Sequence, residues 1–481
     1  MTTIKLDPGA ALLLDALHGA GHAAYAVGGC VRDSLLGLDP HDWDLCTSAR
    51  PEQVMALFGE EKCIPTGLQH GTVTVKQGGR LYETTTFRTE GAYSDGRHPD
   101  AVCFVPDVRE DLARRDFTIN AMAYSAEEGL IDPFGGRDDL AAHLVRAVGE
   151  PERRFEEDAL RILRLYRFAA RFGFAIDPAT GAAARALGPH LDCVSAERIQ
   201  EELLKLLAAP RPGSYLEPAV LAVILPELEP EKQPERFAEL CRTIDRIEPT
   251  AENVPARLAA LLCPLGEAGA RKALRKLKCS NALTDEVTAL VGGSVGSFLL
   301  GHEFELRHPA DALCLERHSH PAGRCPNSNS LFPPQAAVVA VAGHSIARPI
   351  ACGNRVPPQR TVLGETPGTP NTTLTVQAKR LLGRYELPTI QRLTALCSAR
   401  HPEQAVAFAA LRAEAEQLTA ENACCRVSQL AVNGRDLMAA GVRPGPGLRQ
   451  VLNALLEAVI TGQTPNEKDA LLAAAAQFSA S

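Results

Sequence analysis

No apolar run in the 481-residue chain approaches the roughly 20 residues that cross a bilayer. That excludes a helical membrane span. The opening stretch, MTTIKLDPGAALLLDALHGAGHAAY, lacks the basic region and cleavage site of a secretory signal. It reads as an amphipathic helix over Leu12, Leu13, Ala16 and Leu17, and the expected compartment is the cytoplasm. No CxxC pair occurs among the 14 cysteines: Cys424 and Cys425 are adjacent, and Cys30, Cys46, Cys63 and Cys103 are scattered. That spacing speaks against a zinc site or a disulfide framework and for free thiols in a reducing compartment. Positive charge is not in excess either. A net charge of −8 excludes a protein basic all over, but a local basic stripe can still meet nucleic acid.

Lysine is missing between Lys278 and Lys379, and over about 293–371 acidic residues thin out while Pro, His and Ser cluster. No helical or alternating period persists there. His302, His308, Cys314, His318, His320 and Cys325 fit no zinc spacing. The stretch reads as a disordered insertion or a reading-frame error in the source sequence.

The rest is ordinary globular material, 45% hydrophobic and 22% charged, long enough for two to four domains. Residues 22–150 carry strand and helix signals. YAVGGCV is a strand running into a glycine turn, CVRDSLLG a helix, DWDLCT a second strand, and ARPEQVMALFG a helix. GTVTVKQGGRLYETTTFR reads as a hairpin with a Gly-Gly turn. From about 150 the texture is helical, beginning with PERRFEEDALRILRLYRFAARFGF, and SAERIQEELLKLLAA starts on Ser195 as N-cap.

Within the first part, Asp42 and Asp44 stand one residue apart in HDWDLCT. On a strand, residues i and i+2 share a face, so the two carboxylates project together while Trp43 packs the other way. Close carboxylates repel unless a cation lies between them. Mg²⁺ suits such a pair because it keeps waters and shares positions with substrate phosphates. Paired ions of this kind activate a hydroxyl and stabilise departing pyrophosphate. Gly28-Gly29 ahead of a helix offer close backbone approach and free N–H groups to phosphate, and Arg32 supplies charge. Read alone, Gly-Gly is a tight strand–helix turn; the carboxylate pair close behind it is what points to phosphate. Glu83 either completes the acidic site from the hairpin or faces solvent.

Five ordered stretches then carry a resemblance: GGCVRDSLLG…HDWDLCTSA, ETTTFRTEGAYSDGRHPDAVCFV, LARRDFTINAMAYS, IDPFGGRDDL and RFEEDALRILRLYRFAARFGF. Together they closely resemble the class II tRNA nucleotidyltransferases, the bacterial CCA-adding enzymes, of the family shared with poly(A) polymerases. The match is dense over about 22–205. LAVNGRDLMAAGVRPGPGLRQVLNALLEAVITGQTPN is similar to the family's tail.

The resemblance implies an α+β fold: a nucleotidyltransferase head with a mixed β-sheet at 1–145, then a helical neck at 146–210, a body at 211–292, the atypical 293–371, and body and tail at 372–481. It implies addition of C, C and A to the 3′ end of tRNA from CTP and ATP with Mg²⁺. Asp42 and Asp44 would hold the metal, with Glu83 beside them. Gly28, Gly29 and Arg32 would handle the triphosphate, and Arg114, Asp116 and Asn120 the ribose and phosphates. Glu157, Asp158, Arg161 and Arg164 would surround the base. Spacings of three and four place 157, 158 and 161 on one face of a helix. There Asp158 can accept from the amino group of cytosine or adenine, and Arg161 can donate to the ring. On an isolated helix the same residues read as an ion pair. The polar stretch 88–112 corresponds to the family's flexible loop, and 132–140 to a head–neck link. Basic runs at 271–278 and 379–393 are candidate RNA contacts. A poly(A) polymerase, a CC- or A-only transferase, and a non-catalytic RNA-binding protein are the competing readings.

Overall fold

A computed structural model of the chain describes residues 3–90, 102–295 and 372–478. Of the atypical segment 293–371, residues 293–295 end a described helix, and 296–371, like 91–101 of the polar loop, lie outside the described residues.

Asp7 caps the first helix, α1 (Pro8–Gly19), by accepting from the N–H groups of Gly9 and Ala10. Its buried stripe is Ala10, Leu13, Leu14 and Leu17, whereas Leu12 is 57% exposed. The apolar face therefore runs through Leu14, at the 3–4 spacing of a helix, and Leu12 lies off it. The chain continues through β1 (Ala24–Val27), α2 (Gly29–Leu35), β2 (Leu45–Thr47), α3 (Pro51–Phe58), β3 (Cys63–Gly67), β4 (Thr72–Gln77), β5 (Arg80–Thr86), β6 (Arg88–Glu90), β7 (Val102–Phe104), α4 (Val108–Ala113), β8 (Ala123–Ser125) and β9 (Gly129–Ile131).

Seven strands form one sheet in the order β3-β4-β5-β2-β1-β8-β9. Only β2 and β5 pair in parallel, so the sheet is mixed, as expected. β4 and β5 form the predicted hairpin. Gly78 and Gly79 both have positive φ, 57° and 80°, the geometry of a tight turn that matches strand twist. Alternation along β5 buries Tyr82, Thr84 and Thr86 and leaves Glu83 on the exposed face.

Helices follow: α5 (Gly136–Ala141), α6 (Pro151–Glu157), α7 (Leu160–Phe172), α8 (Pro178–Ala186), α9 (Ala196–Leu207), α10 (Pro218–Ile224), α11 (Pro234–Arg246), α12 (Val254–Leu262), α13 (Gly266–Lys276), α14 (Asn281–Val295), α15 (Thr372–Arg384), α16 (Leu387–Arg400), α17 (Ala405–Ala420), α18 (Gly434–Ala439), α19 (Pro446–Ile460) and α20 (Lys468–Phe478). The short strands β10 (Leu144–Val145) and β11 (Ala175–Ile176) pair between them. One apolar core runs from α1 through α17, whereas Leu430, Val432, Leu437, Leu455, Leu471 and neighbours form a separate core in the last three helices. Among the described residues, no helix is long and apolar enough to cross a membrane.

The joint between α9, α11 and α12 is closed by one cation. Arg257 of α12 is fully buried and donates to the backbone carbonyls of Leu207 (2.7 Å), Ala209 (2.5 Å), Pro210 (3.4 Å) and Ile247 (2.6 Å). These carbonyls lie at the ends of α9 and α11, where acceptors have no intrahelical partner and cations are favoured. Arg257→Met keeps the volume but orphans four acceptors, each costing about 1–3 kcal/mol when buried. We expect thermal or urea unfolding to show a loss of at least about 3 kcal/mol, with Arg257→Lys recovering only part because it lacks the planar fork.

Candidate active site

The site starts at the end of β1. Gly28 adopts φ 77°, ψ −120°, open to glycine but costly for other residues. A Cβ there would stand 2.6 Å from Nη1 of Arg115. The turn thus lets a guanidinium lie directly over the backbone. α2 begins at Gly29 with no side-chain cap, so its leading N–H groups have no intrahelical partners. Arg32, one turn on, is only 4% exposed. It donates to Asp33 and to Oδ1 of Asn120, and its guanidinium lies 4.8 Å from the Phe172 ring and 5.3 Å from Phe168. A Cβ on Gly29 would come within 3.7 Å of Arg32 Nη2, so the charge sits just beneath the turn.

The carboxylate pair is placed differently from expectation. β2 starts only at Leu45, so Asp42 and Asp44 occupy the extended segment ahead of the strand. The alternation nevertheless holds: Trp43 is buried at 6% exposure, and Asp42 and Asp44 both face outward. Burial of the indole supplies the orientation that ladder hydrogen bonds supply elsewhere. Asp42 stands almost free, with His41 Nδ1 at 3.9 Å.

β2 pairs in parallel with β5 through Leu45↔Thr84, which puts Asp44 and Glu83 at the next adjacent positions of the two chains. Asp44 keeps solvent access although protein surrounds much of it. That desolvation pushes its carboxyl up to about 6. Glu83 adds to the rise, Arg115 opposes it, and Asp42 contributes a little more. No hydrogen bond reaches the Asp44 carboxylate among the described residues, and no closed cluster of three acidic, His or Cys ligands is present there. The arrangement is an open acidic half-shell. Such a donor set fits a hard, partly hydrated divalent cation that takes its remaining oxygens from a phosphate.

Residues 114–120 form the other wall. Asp116 is buried and accepts four hydrogen bonds: from Phe117 N–H (2.8 Å), Asn120 Nδ2 (3.0 Å), and Arg164 Nε (2.8 Å) and Nη2 (2.7 Å). Burial alone would raise its carboxyl. The charge and bonds of Arg164, with the Asn120 amide, outweigh burial and hold it well below the usual carboxylate range. Asn120 passes the chain of bonds to Arg32, so the glycine turn and α7 are linked through Asp116. Arg114 turns toward Asp111, with Nε at 3.0 Å and Nη2 at 2.8 Å.

The expected helix over 151–172 is broken at Asp158, whose φ −149° and ψ 102° are extended. Its side chain accepts from Leu160 N–H at 3.1 Å and so restarts the chain as α7, a competition with helical bonding that Asp favours. Glu157, Asp158 and Arg161 therefore do not share one helical face. Glu157 binds Arg154 and Arg161, the latter at 2.8 Å. Arg161 is buried and also donates to the carbonyls of Arg154 (3.2 Å) and Arg114 (3.0 Å). Asp158 is held bidentately by Arg198 of α9 at 2.8 and 3.2 Å.

Three residues of this site were not singled out from sequence. Arg115 was passed over beside Arg114, and only the positive φ of Gly28 could have exposed its role. Arg167 stacks 4.0 Å from the Phe168 ring and binds Glu202 at 2.6 Å. Arg198 signalled itself only as one more basic residue of an amphipathic helix.

Two outcomes follow. Gly28→Ala combines a disallowed φ with a clash on Arg115 and is expected to cost about 1–3 kcal/mol, read as a lowered unfolding midpoint. Asp44 takes up a proton in the folded state near pH 6, well above where the unfolded chain does. Its contribution to stability therefore grows as pH falls through that window and is absent above it. Asp44→Asn should raise the melting temperature near pH 8 while weakening Mn²⁺ binding seen by paramagnetic resonance. In the parent, Mn²⁺ affinity should fall as pH drops through about 6.

The chain is similar to known proteins along most of its length. Residues 24–146 match the poly A polymerase head domain, 173–232 a probable RNA- and SrmB-binding site of polymerase A, and 380–475 a putative tRNA nucleotidyltransferase domain 2. The CCA-adding enzyme of Levilactobacillus brevis is 33% identical over 466 residues, 96% of each chain. That of Lactiplantibacillus plantarum is 32% identical over 462 residues, 96% of this chain and 93% of the relative. The crystal structure of the Bacillus stearothermophilus CCA-adding enzyme in complex with CTP superposes with a TM-score of 0.69 at 29% identity, covering 98% of both chains. The Thermotoga maritima CCA-adding enzyme complexed with tRNA, 19% identical with a TM-score of 0.61, shares the fold. The mixed-sheet head and these full-length likenesses show that the chain belongs to the CCA-adding enzymes of the tRNA nucleotidyltransferase and poly(A) polymerase family.

Proposed function

We propose that the protein adds C, C and A to the 3′ end of tRNA, using CTP and ATP and releasing pyrophosphate. The observation that carries the reading is the meeting of Asp44 and Glu83, side by side and opposed only in part by Arg115, near a glycine turn that the same arginine roofs. Enzymes of this class work with divalent cations, and magnesium is the one proposed. Asp42 and Asp44 would hold it with Glu83 alongside; when bound, it supplies charge that favours a hydroxylate at the RNA end and neutralises the leaving pyrophosphate.

The chain's own residues do the rest. The N–H groups after Gly28, with Arg32 beneath and Arg115 above, receive the triphosphate. Arg114 and Asn120 position ribose and phosphates, and Asp116, its own oxygens filled, holds Asn120 in place. Glu157, Asp158, Arg161 and Arg164 surround the base, Asp158 accepting from an exocyclic amino group. The reaction forms an O–P bond from the RNA 3′-oxygen to the α-phosphorus and breaks the bond to the β-phosphate oxygen. We assign it to the cytoplasm, where tRNA and nucleoside triphosphates are both available.

We divide the chain into a head at 1–145, a neck at 146–210, a body at 211–292 and a body and tail at 372–481, with 293–371 between them. The separate apolar core of α18–α20 supports an independent tail. For RNA, α13 is favoured over 379–393. Lys272, Arg275 and Lys276 are exposed, whereas Arg380 and Arg392 are engaged by Glu457 and Glu286.

The decisive assay offers tRNA lacking its 3′ end each nucleotide singly and together. C addition from CTP, followed by A only when both are present, is expected. Incorporation of A alone in long runs would instead indicate a poly(A) polymerase. Asp44→Asn should cut turnover by about 10²–10³-fold or more, the scale of losing one preorganised transition-state contact. Charge reversal of Lys272, Arg275 and Lys276 should weaken tRNA binding and reduce the slope of log K against log salt by about 2–3, near 0.9 per lost phosphate contact.

A further inference from the structure

The sheet face that carries Asp44 and Glu83 continues past them. Thr74 of β4 stands directly across from Glu83, and Lys76 across from Leu81. Directly opposed residues share a face, so Thr74, Lys76, Leu81 and Glu83 look the same way as Asp44. The intervening Val73, Val75 and Tyr82 point to the other side, into the main apolar core. Thr74 is covered, its hydroxyl 2.9 Å from that of Thr66. Beyond it the face is open. Leu81 is 60% exposed, more than any other large apolar side chain among the described residues of 1–145, and Lys76 and Glu83 are exposed beside it. No acidic side chain among the described residues engages Lys76.

Where this strip lies relative to the glycine turn gives it a use. Val27 N–H donates to the Asp44 carbonyl at 3.0 Å, so the end of β1, with Gly28 and the start of α2, lies on one side of the acid pair. β5 and then β4 lie on the other. In a phosphoryl displacement the entering and leaving oxygens are roughly in line, on opposite sides of phosphorus. The leaving pyrophosphate belongs to the triphosphate received at the glycine turn. The RNA hydroxyl must therefore arrive from the side of β5 and β4. The residues waiting there suit the end of an RNA strand. Leu81 offers an apolar surface to a ribose, and Lys76 an ammonium that has no anion of its own. Asp42, Asp44 and Glu83 repel a phosphate, so its one favourable place is the far edge of the strip, at Lys76.

We propose that the strip formed by Leu81 of β5 and Lys76 of β4 seats the 3′-terminal nucleotide of the RNA, its ribose on Leu81 and the phosphate on its 5′ side against Lys76. The proposal rests on the tRNA-extending reaction given above and adds the side from which the RNA enters. Neither residue makes or breaks a bond; together they fix where the 3′-oxygen points. Neither contact reads a base, because ribose and phosphate are common to every nucleotide. That suits a site whose RNA ends in a different nucleotide as addition proceeds.

The test uses full-length protein and tRNA lacking its 3′ end, with the last internucleotide phosphate either natural or replaced by an uncharged methylphosphonate. In the parent the neutral linkage should lower kcat/KM for RNA about tenfold, the lower end of what a charge-assisted hydrogen bond contributes. Lys76→Ala should lose the same factor on natural RNA and nothing further on the neutral linkage, and Lys76→Arg should restore the parent's pattern. Equilibrium RNA binding without nucleotide should lose about 0.7 from the slope of log K against log salt in Lys76→Ala, the share of one single-strand phosphate contact. Leu81→Ser should weaken RNA use about fivefold with that slope unchanged. KM for CTP and the unfolding midpoint should stay at parent values, because both side chains are exposed and lie away from the glycine turn. If the losses from Lys76→Ala and from the neutral linkage multiply, and the salt slope does not move, Lys76 does not meet that phosphate and the proposal is overturned. If the parent extends tRNA and both Lys76→Ala and Leu81→Ser match it on natural RNA, the strip fails and the reaction stands. A parent that adds neither C nor A to tRNA overturns the reaction itself, and the strip with it.

Discussion

A buried carboxylate cannot stay ionised in a protein interior without donors to replace the water it has lost, and Asp116 has four. Those donors come from its own loop and from α7. Through Asn120 the same network reaches Arg32, beneath the glycine turn. The relative placement of the glycine turn and α7 therefore depends on one anion. The aromatic plate of Phe168 and Phe172, parallel to within 2°, fills the space between. The guanidinium groups of Arg32, Arg164, Arg167 and Arg171 all lie within 5.4 Å of one of its two rings. Guanidinium groups tolerate such packing because they are weakly hydrated above and below their plane.

This neck is rich in arginine, yet it is largely self-neutralised. Arg161 is bound by Glu157, Arg164 by Asp116, Arg167 by Glu202 and Arg171 by Asp33. On the reading proposed above, the nucleotide base meets side chains that these pairs already hold in place, which lowers the entropy cost of the encounter. Preorganisation also explains why Glu202, with no place in any chemical step, is buried between Arg164 and Arg167.

Much of this was legible in the residues, for reasons that differ by element. The Gly-Gly hairpin, the Pro51 helix start and the amphipathic α9 follow from local rules, and the structure has all three. The side-by-side direction of Asp42 and Asp44 was also legible, because a tryptophan between two acids has one comfortable orientation. What failed was the inference that the pair lies within a strand, since hydrogen bonding along β2 depends on a partner distant in sequence. The continuous helix over 151–172 failed at Asp158 because helical periodicity of apolar residues survives a one-residue break. Arg115 and Arg198 were hidden for a related reason. Their identity is ordinary, and only the fold brings one over Gly28 and the other against Asp158.

The two carboxylates at the heart of the pocket have been driven in opposite directions by their surroundings. Asp116 is held far below its usual range by donors on both oxygens, and Asp44 is lifted by protein and by neighbouring acids with no donor among the described residues to relieve it. The first has no capacity left for a ligand and serves as a beam. The second is in an unfavourable state that a divalent cation relieves directly. A fold that spends four donors on one acid and none on the other has divided them between architecture and chemistry. The cost in stability at Asp44 is the physical ground for the cation proposed there.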